Sequence, residues 1–277
     1  PTVANVTYCA DEANPSALTA QVTMSSVPSG NTLQWYTSAT GGTASTTAPV
    51  PSTVNASNTT AVTLEYWVSQ KVDGTGCEGP RAKITVTINP RPLPPAVTNV
   101  TYCQEESPNP LVATAASGST LFWYGTNSTG GTGSTATPTP STTTAGSVTY
   151  YVTQKIDATG CESNRAALTV TVNPKPGVPT PNNMTYCQED IANPLTATAA
   201  AGQTLQWYTS ATGGTAQTSI TPVTTTAGTF TFYVSQKDNI TGCESNRTPI
   251  TVLVNAKPVA PTVANVTYCA DEANPSA

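Results

Sequence analysis

Thr32 to Ala44 reads TLQWYTSATGGTA, and the same thirteen letters return as Thr204 to Ala216, with a near copy, TLFWYGTNSTGGT, at Thr120 to Thr132. Leu33 and Trp35, Leu121 and Trp123, and Leu205 and Trp207 are two residues apart, so each pair falls on one face of a strand, and that face is expected to be core. The Gly pairs that follow, Gly41-Gly42, Gly130-Gly131 and Gly213-Gly214, supply the positive φ of a tight hairpin. One strand and its turn are thus written three times.

Working outward, a Tyr-Cys pair recurs at Tyr8-Cys9, Tyr102-Cys103, Tyr186-Cys187 and Tyr268-Cys269, in steps of 94, 84 and 82 residues. Such steps are the size of a small domain, at the lower end of roughly 50 to 250 residues, and too long for a solenoid unit of about 20 to 50. Pro1 to Ala17 returns unchanged as Pro261 to Ala277, which is expected of a window on a longer array. The partition expected is 1–91, 92–176 and 177–258, with 259–277 opening a fourth repeat.

Each repeat continues in the same order. Leu18, Ala20, Val22 and Met24 (Leu111, Ala113, Ala115; Leu195, Ala197, Ala199) alternate as a second strand with one buried face. A Thr/Pro-rich passage follows the Gly pair and reads as a short edge strand plus turns, since proline is confined to edges and bends. Next comes a strand with Val62, Leu64, Tyr66 and Val68 inward (Val148, Tyr150, Val152; Phe230, Phe232, Val234), ending in Gln-Lys. A Thr-Gly-Cys-Glu loop leads to the last strand, with Ile84, Val86 and Ile88 (Leu168, Val170, Val172; Ile250, Val252, Val254) buried. The first repeat is longer around Ser25 to Asn31 and Ser52 to Thr60, both expected to be loops. About seven short strands with a Trp on the third predict an all-β chain of tandem immunoglobulin-like sandwiches. The usual intersheet disulfide is missing, because the second strand has Ala where its Cys would stand.

Seven cysteines remain to be placed. Two symmetric pairings are considered: Cys9–Cys77, Cys103–Cys161 and Cys187–Cys243 within repeats, or Cys77–Cys103, Cys161–Cys187 and Cys243–Cys269 between them. In an up-and-down sandwich the first strand starts at the end of the domain that carries the Thr-Gly-Cys loop, so Cys9 and Cys77 can meet. Reaching Cys103 from Cys77 would cross a strand of about eight residues, roughly 26 Å, against a Cα limit of about 7 Å. One intradomain disulfide per repeat is therefore expected, with Cys269 left over by truncation. Each bridge would stabilise its repeat by roughly 4 kcal/mol and implies an extracellular location. Proline-dense joints (Asn89 to Pro95, Asn173 to Pro181, Asn255 to Pro261) predict semi-rigid spacers and an extended rod.

Charge and composition exclude several functions. A net charge of −5 with ten dispersed basic residues gives no nucleic-acid footprint, and no run reaches membrane-spanning length. With no histidine, Ser-His-Asp and Cys-His catalysis is impossible; no enzyme, cofactor or zinc site is expected. Carboxylates follow both cysteines (Asp11-Glu12, Glu105-Glu106, Glu189-Asp190; Glu78, Glu162, Glu244), so an intradomain bridge would gather them at one end. Calcium needs six to eight oxygens. The simpler expectation pairs Arg81, Arg165 and Arg247 with these carboxylates at the surface. Trp35, Trp123 and Trp207 are assigned to the core; Tyr36, Tyr124, Tyr208, Trp67, Tyr151 and Tyr233 take the outward phase, covering a sheet face or stacking on sugar. Asn5-Val6-Thr7 and Asn183-Met184-Thr185 read as strand starts.

The succession Tyr-Cys, Leu-x-Ala, Trp-Tyr with Thr-Gly-Gly-Thr, Tyr-Tyr-Val-Thr-Gln-Lys (Tyr150 to Lys155) and Gly-Cys-Glu-Ser-Asn-Arg (Gly160 to Arg165) resembles the Ig-like repeats of very large surface proteins of Bacteroidetes-type bacteria. Among these, near-identical repeats in long arrays resemble the giant adhesins of gliding motility exported by type IX secretion. The resemblance implies the shaft of a filamentous cell-surface adhesin. Its partners would be neighbouring repeats of the same chain, the secretion and motility machinery, and an outside surface or polysaccharide met by a tip or by summed weak contacts. The alternative is a spacer or carbohydrate-binding arm of a large secreted polysaccharide-degrading enzyme.

Overall fold

The computed structural model describes residues 1–13, 15–22, 30–55 and 59–270. It falls into two compact units, Pro1–Val172 with the first two repeats and Asn173–Ala277 with the third. Among the described residues the eighteen elements are all strands, six per repeat. In the first repeat these are β1 (Thr2–Val3), β2 (Val6–Cys9), β3 (Ala20–Gln21), β4 (Asn31–Tyr36), β5 (Val62–Val72) and β6 (Ala82–Asn89). The second repeats them as β7 (Ala96–Val97), β8 (Val100–Cys103), β9 (Ala113–Thr114), β10 (Ser119–Trp123), β11 (Gly146–Ile156) and β12 (Ala166–Asn173). The third has β13 (Thr180–Pro181), β14 (Met184–Cys187), β15 (Ala197–Thr198), β16 (Gln203–Tyr208), β17 (Gly228–Asp238) and β18 (Thr248–Asn255).

Each repeat sets a four-stranded sheet, ordered β2-β6-β5-β4 in the first, against the small β1-β3 pair. The cores lie between them. Trp35, Trp123 and Trp207 are 3–4% exposed, and Ile84, Val86 and Ile88 with their counterparts in β12 and β18 are buried. Leu18, Leu111 and Leu195 close the cores from the second segment, although the strand there is only two residues long. Val22 is 42% exposed, and Met24 lies outside the described residues, as does much of the insertion around Ser25 to Asn31 and part of that around Ser52 to Thr60.

The Thr/Pro-rich passage forms no strand among the described residues. Proline has no N–H to give to a ladder, so the passage touches its neighbours by single bonds. Leu18 N donates to Pro49 O (2.9 Å) and Leu111 N to Pro138 O (3.0 Å). What stands in for an edge strand is one bridge after each Gly pair: Trp35 to Ser45, Trp123 to Ser134 and Trp207 to Gln217.

The feature that governs the rest is the direction of β2. It runs parallel to β6, with Val6 opposite Val86 and Cys9 opposite Asn89; β14 runs parallel to β18 in the same register. The side chain of Asn5 starts the pairing by accepting from Thr85 N (2.9 Å), as Asn99 does from Thr169 N and Asn183 from Thr251 N. Tyr-Cys therefore ends level with the end of the last strand. Cys77 precedes that strand, about eight residues or roughly 26 Å away.

The expected pairing is thereby corrected. Cys9 is bonded to Cys161, with Cα atoms 5.4 Å apart, and neither to Cys77 nor to any cysteine of its own repeat. Cys103 and Cys243 are also disulfide-bonded, whereas Cys77 and Cys187, expected in intradomain bridges, are exposed thiols. The reason is the parallel strand: it carries the first cysteine to the exit end of its repeat, and the Thr-Gly-Cys loop stays at the entry end.

Candidate functional site

Local chemistry fixes both cysteines of a repeat. After the first, a tight turn closes reciprocally: Glu12 N donates to Cys9 O (3.2 Å) and Cys9 N donates to Glu12 Oε2 (3.1 Å). Glu106 and Asp190 do the same for Cys103 and Cys187, each accepting from the cysteine N–H at 2.7 Å. The turn holds Asp11, Glu105 and Glu189 at φ 56°, 67° and 69°, a left-handed conformation that short polar residues tolerate best. Thr53, Thr142 and Thr224 then pin it: each accepts from that residue's N–H through its carbonyl and donates its hydroxyl to the next residue's carbonyl. The acidic pair after the first cysteine is a turn device.

The carboxylate after the second cysteine has a different use. Tyr36 and Ser69 both donate to Glu78 Oε1 at 2.5 Å. Thr153 (2.6 Å) and Tyr124 donate to Glu162; Tyr208 (2.6 Å) and Ser235 donate to Glu244. Ser69, Thr153 and Ser235 are at most 2% exposed, so each buried hydroxyl finds its acceptor there. Arg81, Arg165 and Arg247 lie over the rings of Tyr36, Tyr124 and Tyr208 at 3.3, 3.7 and 3.2 Å. Their guanidinium groups donate to carbonyls of the Gly-Gly hairpin, such as Ser38 O and Ser210 O, both at 2.8 Å. The expected surface pairing of arginine with carboxylate is thus replaced by a stack of arginine on tyrosine, with the carboxylate beneath. Tyr36 and Tyr208, read as outward, are 5% and 4% exposed; they lie on the outer face and are covered by arginine. Trp67, Tyr151 and Tyr233 are half-buried.

These contacts shift the titration of Glu78, Tyr124 and Tyr208. Hydrogen bonds from Ser69 and Tyr36, helped by Arg81 and Lys71 and opposed by desolvation, hold the Glu78 carboxyl below its ordinary value. Burial first, then the hydrogen bond to Glu162 or Glu244, pushes the phenols of Tyr124 and Tyr208 up. A depressed carboxyl pKa contributes stability that is present above the unfolded value of about 4.3 and lost as pH falls through the lower folded value. Glu78→Gln should therefore flatten the acid limb of a stability-against-pH curve, read by urea unfolding between pH 5 and pH 2; an unchanged slope would discount the cluster.

The joint of the first unit assembles around Cys9–Cys161. Cys9 is half-buried and Cys161 is 0% exposed. Arg91, in the proline-rich segment, donates through Nε to Glu162 O (2.9 Å). Gln154, from the Gln-Lys that ends β11, donates to Leu93 O (2.6 Å) and accepts from Ala116 N (2.6 Å). In the second unit Gln236 holds Gly177 O (2.7 Å) and Ala200 N (2.8 Å) in the same way. The recurring Gln-Lys was visible in the sequence, but its clamp on the incoming segment was not. Asp11-Glu12 and Glu162 flank one bridge from two successive repeats. Among the described residues no three of His, Cys, Asp and Glu form a group that could hold a metal ion, and no helix is long and apolar enough to cross a membrane.

Sandwiches of this topology, strung in tandem and joined by a bridge across a clamped linker, define an array of immunoglobulin-like domains. The chain belongs to the family described as "Ig-like domain CHU_C associated", which matches residues 1–90, 92–174 and 176–255. No curated protein matches it. Among solved structures it is similar to Sidekick-1 immunoglobulin domains 1–4 (14% identity, 91% of this chain and 74% of that one, TM-score 0.26). It is also similar to the I67–I69 fragment of titin (8%, 92% and 96%, TM-score 0.29) and to fibronectin(III)-like modules of Clostridium thermocellum CbhA (13%, 61% and 96%, TM-score 0.32).

Proposed function

We propose that the chain is a stretch of the shaft of a long filamentous cell-surface adhesin, mediating surface attachment and gliding motility after type IX export. The observation that carries this reading is the Cys9–Cys161 bridge across the joint of two successive repeats. A joint fixed covalently and clamped by Gln154 suits an element that holds length and transmits tension, whereas a binding module that must reorient needs a free hinge. Near-identical repeats add a second support, since length is gained by copying a bead. Adhesion then resides in a tip or in weak contacts to a surface or polysaccharide summed over many beads. Neighbouring repeats are the shaft's immediate partners, the export and motility machinery acts through other regions, and nucleic acid is not a ligand.

Electron microscopy of the native protein should show filaments one domain wide. Deleting several repeats in frame should shorten them and weaken attachment or spreading while secretion continues. Compact particles, or full adhesion from a shortened and tipless variant, would overturn the reading.

A further inference from the structure

We propose that the cysteines form a ladder staggered by one repeat, in which the first cysteine of each repeat bonds the second cysteine of the next. Cys187 is then the attachment site for a following repeat's second cysteine, and Cys77 the site for a preceding repeat's first. The proposal deepens the shaft reading and rests on it for its purpose, but its evidence is independent. Cys9–Cys161 shows the register directly, and Cys103 and Cys243, the equivalents one repeat later, are both disulfide-bonded.

Exposure follows the same rule. The second cysteines Cys161 and Cys243 are 0% and 1% exposed, whereas Cys77 is an exposed thiol. Among first cysteines, Cys9 and Cys103 are half-buried and Cys187 is exposed. The open positions are otherwise built like the closed ones. Cys187 has the reciprocal turn with Asp190, and Cys77 sits in the loop in which Val72 N donates to Cys77 O (2.9 Å), as Ile156 N does to Cys161 O (2.9 Å). A bond within a repeat is denied by the parallel strand, which separates its two cysteines by roughly 26 Å against a Cα limit of about 7 Å.

Closure is a thiol–disulfide exchange with a dithiol oxidant in its disulfide form. The Cys187 thiolate attacks a donor sulfur, the donor's S–S bond breaks, and one donor thiolate leaves. The incoming repeat's thiolate then attacks the Cys187 sulfur of that mixed disulfide and expels the second donor thiolate. Two protein thiols lose two protons and two electrons, and the donor gains both.

The test lengthens this chain beyond Ala277 with the sequence of residues 18–91, so that Pro261 to Ala277 opens a complete fourth repeat. After oxidation in a glutathione buffer, alkylation and non-reducing peptide mapping should join Cys187 to the added repeat's copy of Cys77, and Cys103 to Cys243. In the 277-residue chain Cys187 should be alkylated fully; in the lengthened one, only to background. Cys187→Ser in the lengthened chain should restore alkylation of the added copy. A bond between that copy and Cys269, or full alkylation of Cys187 in the lengthened chain, overturns the ladder. Compact particles in the microscope from a chain with this mapping would overturn the shaft and leave the ladder standing.

Discussion

Pulled by its ends under oxidising conditions, the unit Pro1–Val172 should yield almost no length when its two repeats unfold, and adding reductant should release about 500 Å. Cys9 and Cys161 are 152 residues apart, and each residue inside that loop would otherwise contribute roughly 3.3–3.6 Å of contour. Only the short segments before Cys9 and after Cys161 lie outside it. Force spectroscopy reads this directly, and Cys9→Ser should reproduce the reduced trace without reductant. Long unfolding steps from the oxidised wild type would show that tension does not pass through the bridge.

The second large effect is thermodynamic. Closing a loop of 152 residues stabilises the native state by about 5 kcal/mol in the chain-entropy model. Cys161→Ser should lower the stability of the first unit by that order. Cys77→Ser, at an exposed thiol, should stay within about 0.5 kcal/mol of wild type, as surface substitutions usually do. Denaturant unfolding of the two variants separates the cases, because an intradomain pairing would make Cys77→Ser as costly as Cys161→Ser.

Much of the fold was legible because burial writes a period of two into any strand. Ile84, Val86 and Ile88 announce their buried face, and Trp35 shares the phase of Leu33. The direction of a neighbour leaves no such mark: Val6 and Tyr8 face inward whether β2 runs with β6 or against it, so the pattern is silent on which end of the repeat receives Cys9. The connection decides that, and the error in the pairing came from assuming an up-and-down path. Tyr36 shows a second limit, since periodicity names a face and not what lies over it. A signal for its cover was present: glutamate and arginine recur three residues apart, at Glu78 and Arg81, Glu162 and Arg165, and Glu244 and Arg247, always with a Trp-Tyr on the same repeat.

The parallel course of β2 also has a bearing on biosynthesis. Cys9 is made early, yet its partner is the cysteine 152 residues later, placed correctly only when the second repeat has its loop and clamp in order. Oxidation of one bead therefore certifies the folding of its successor. Repeats exported in chain order would seal one joint behind the newest bead, and a misfolded repeat would leave an unpaired thiol on the bead before it.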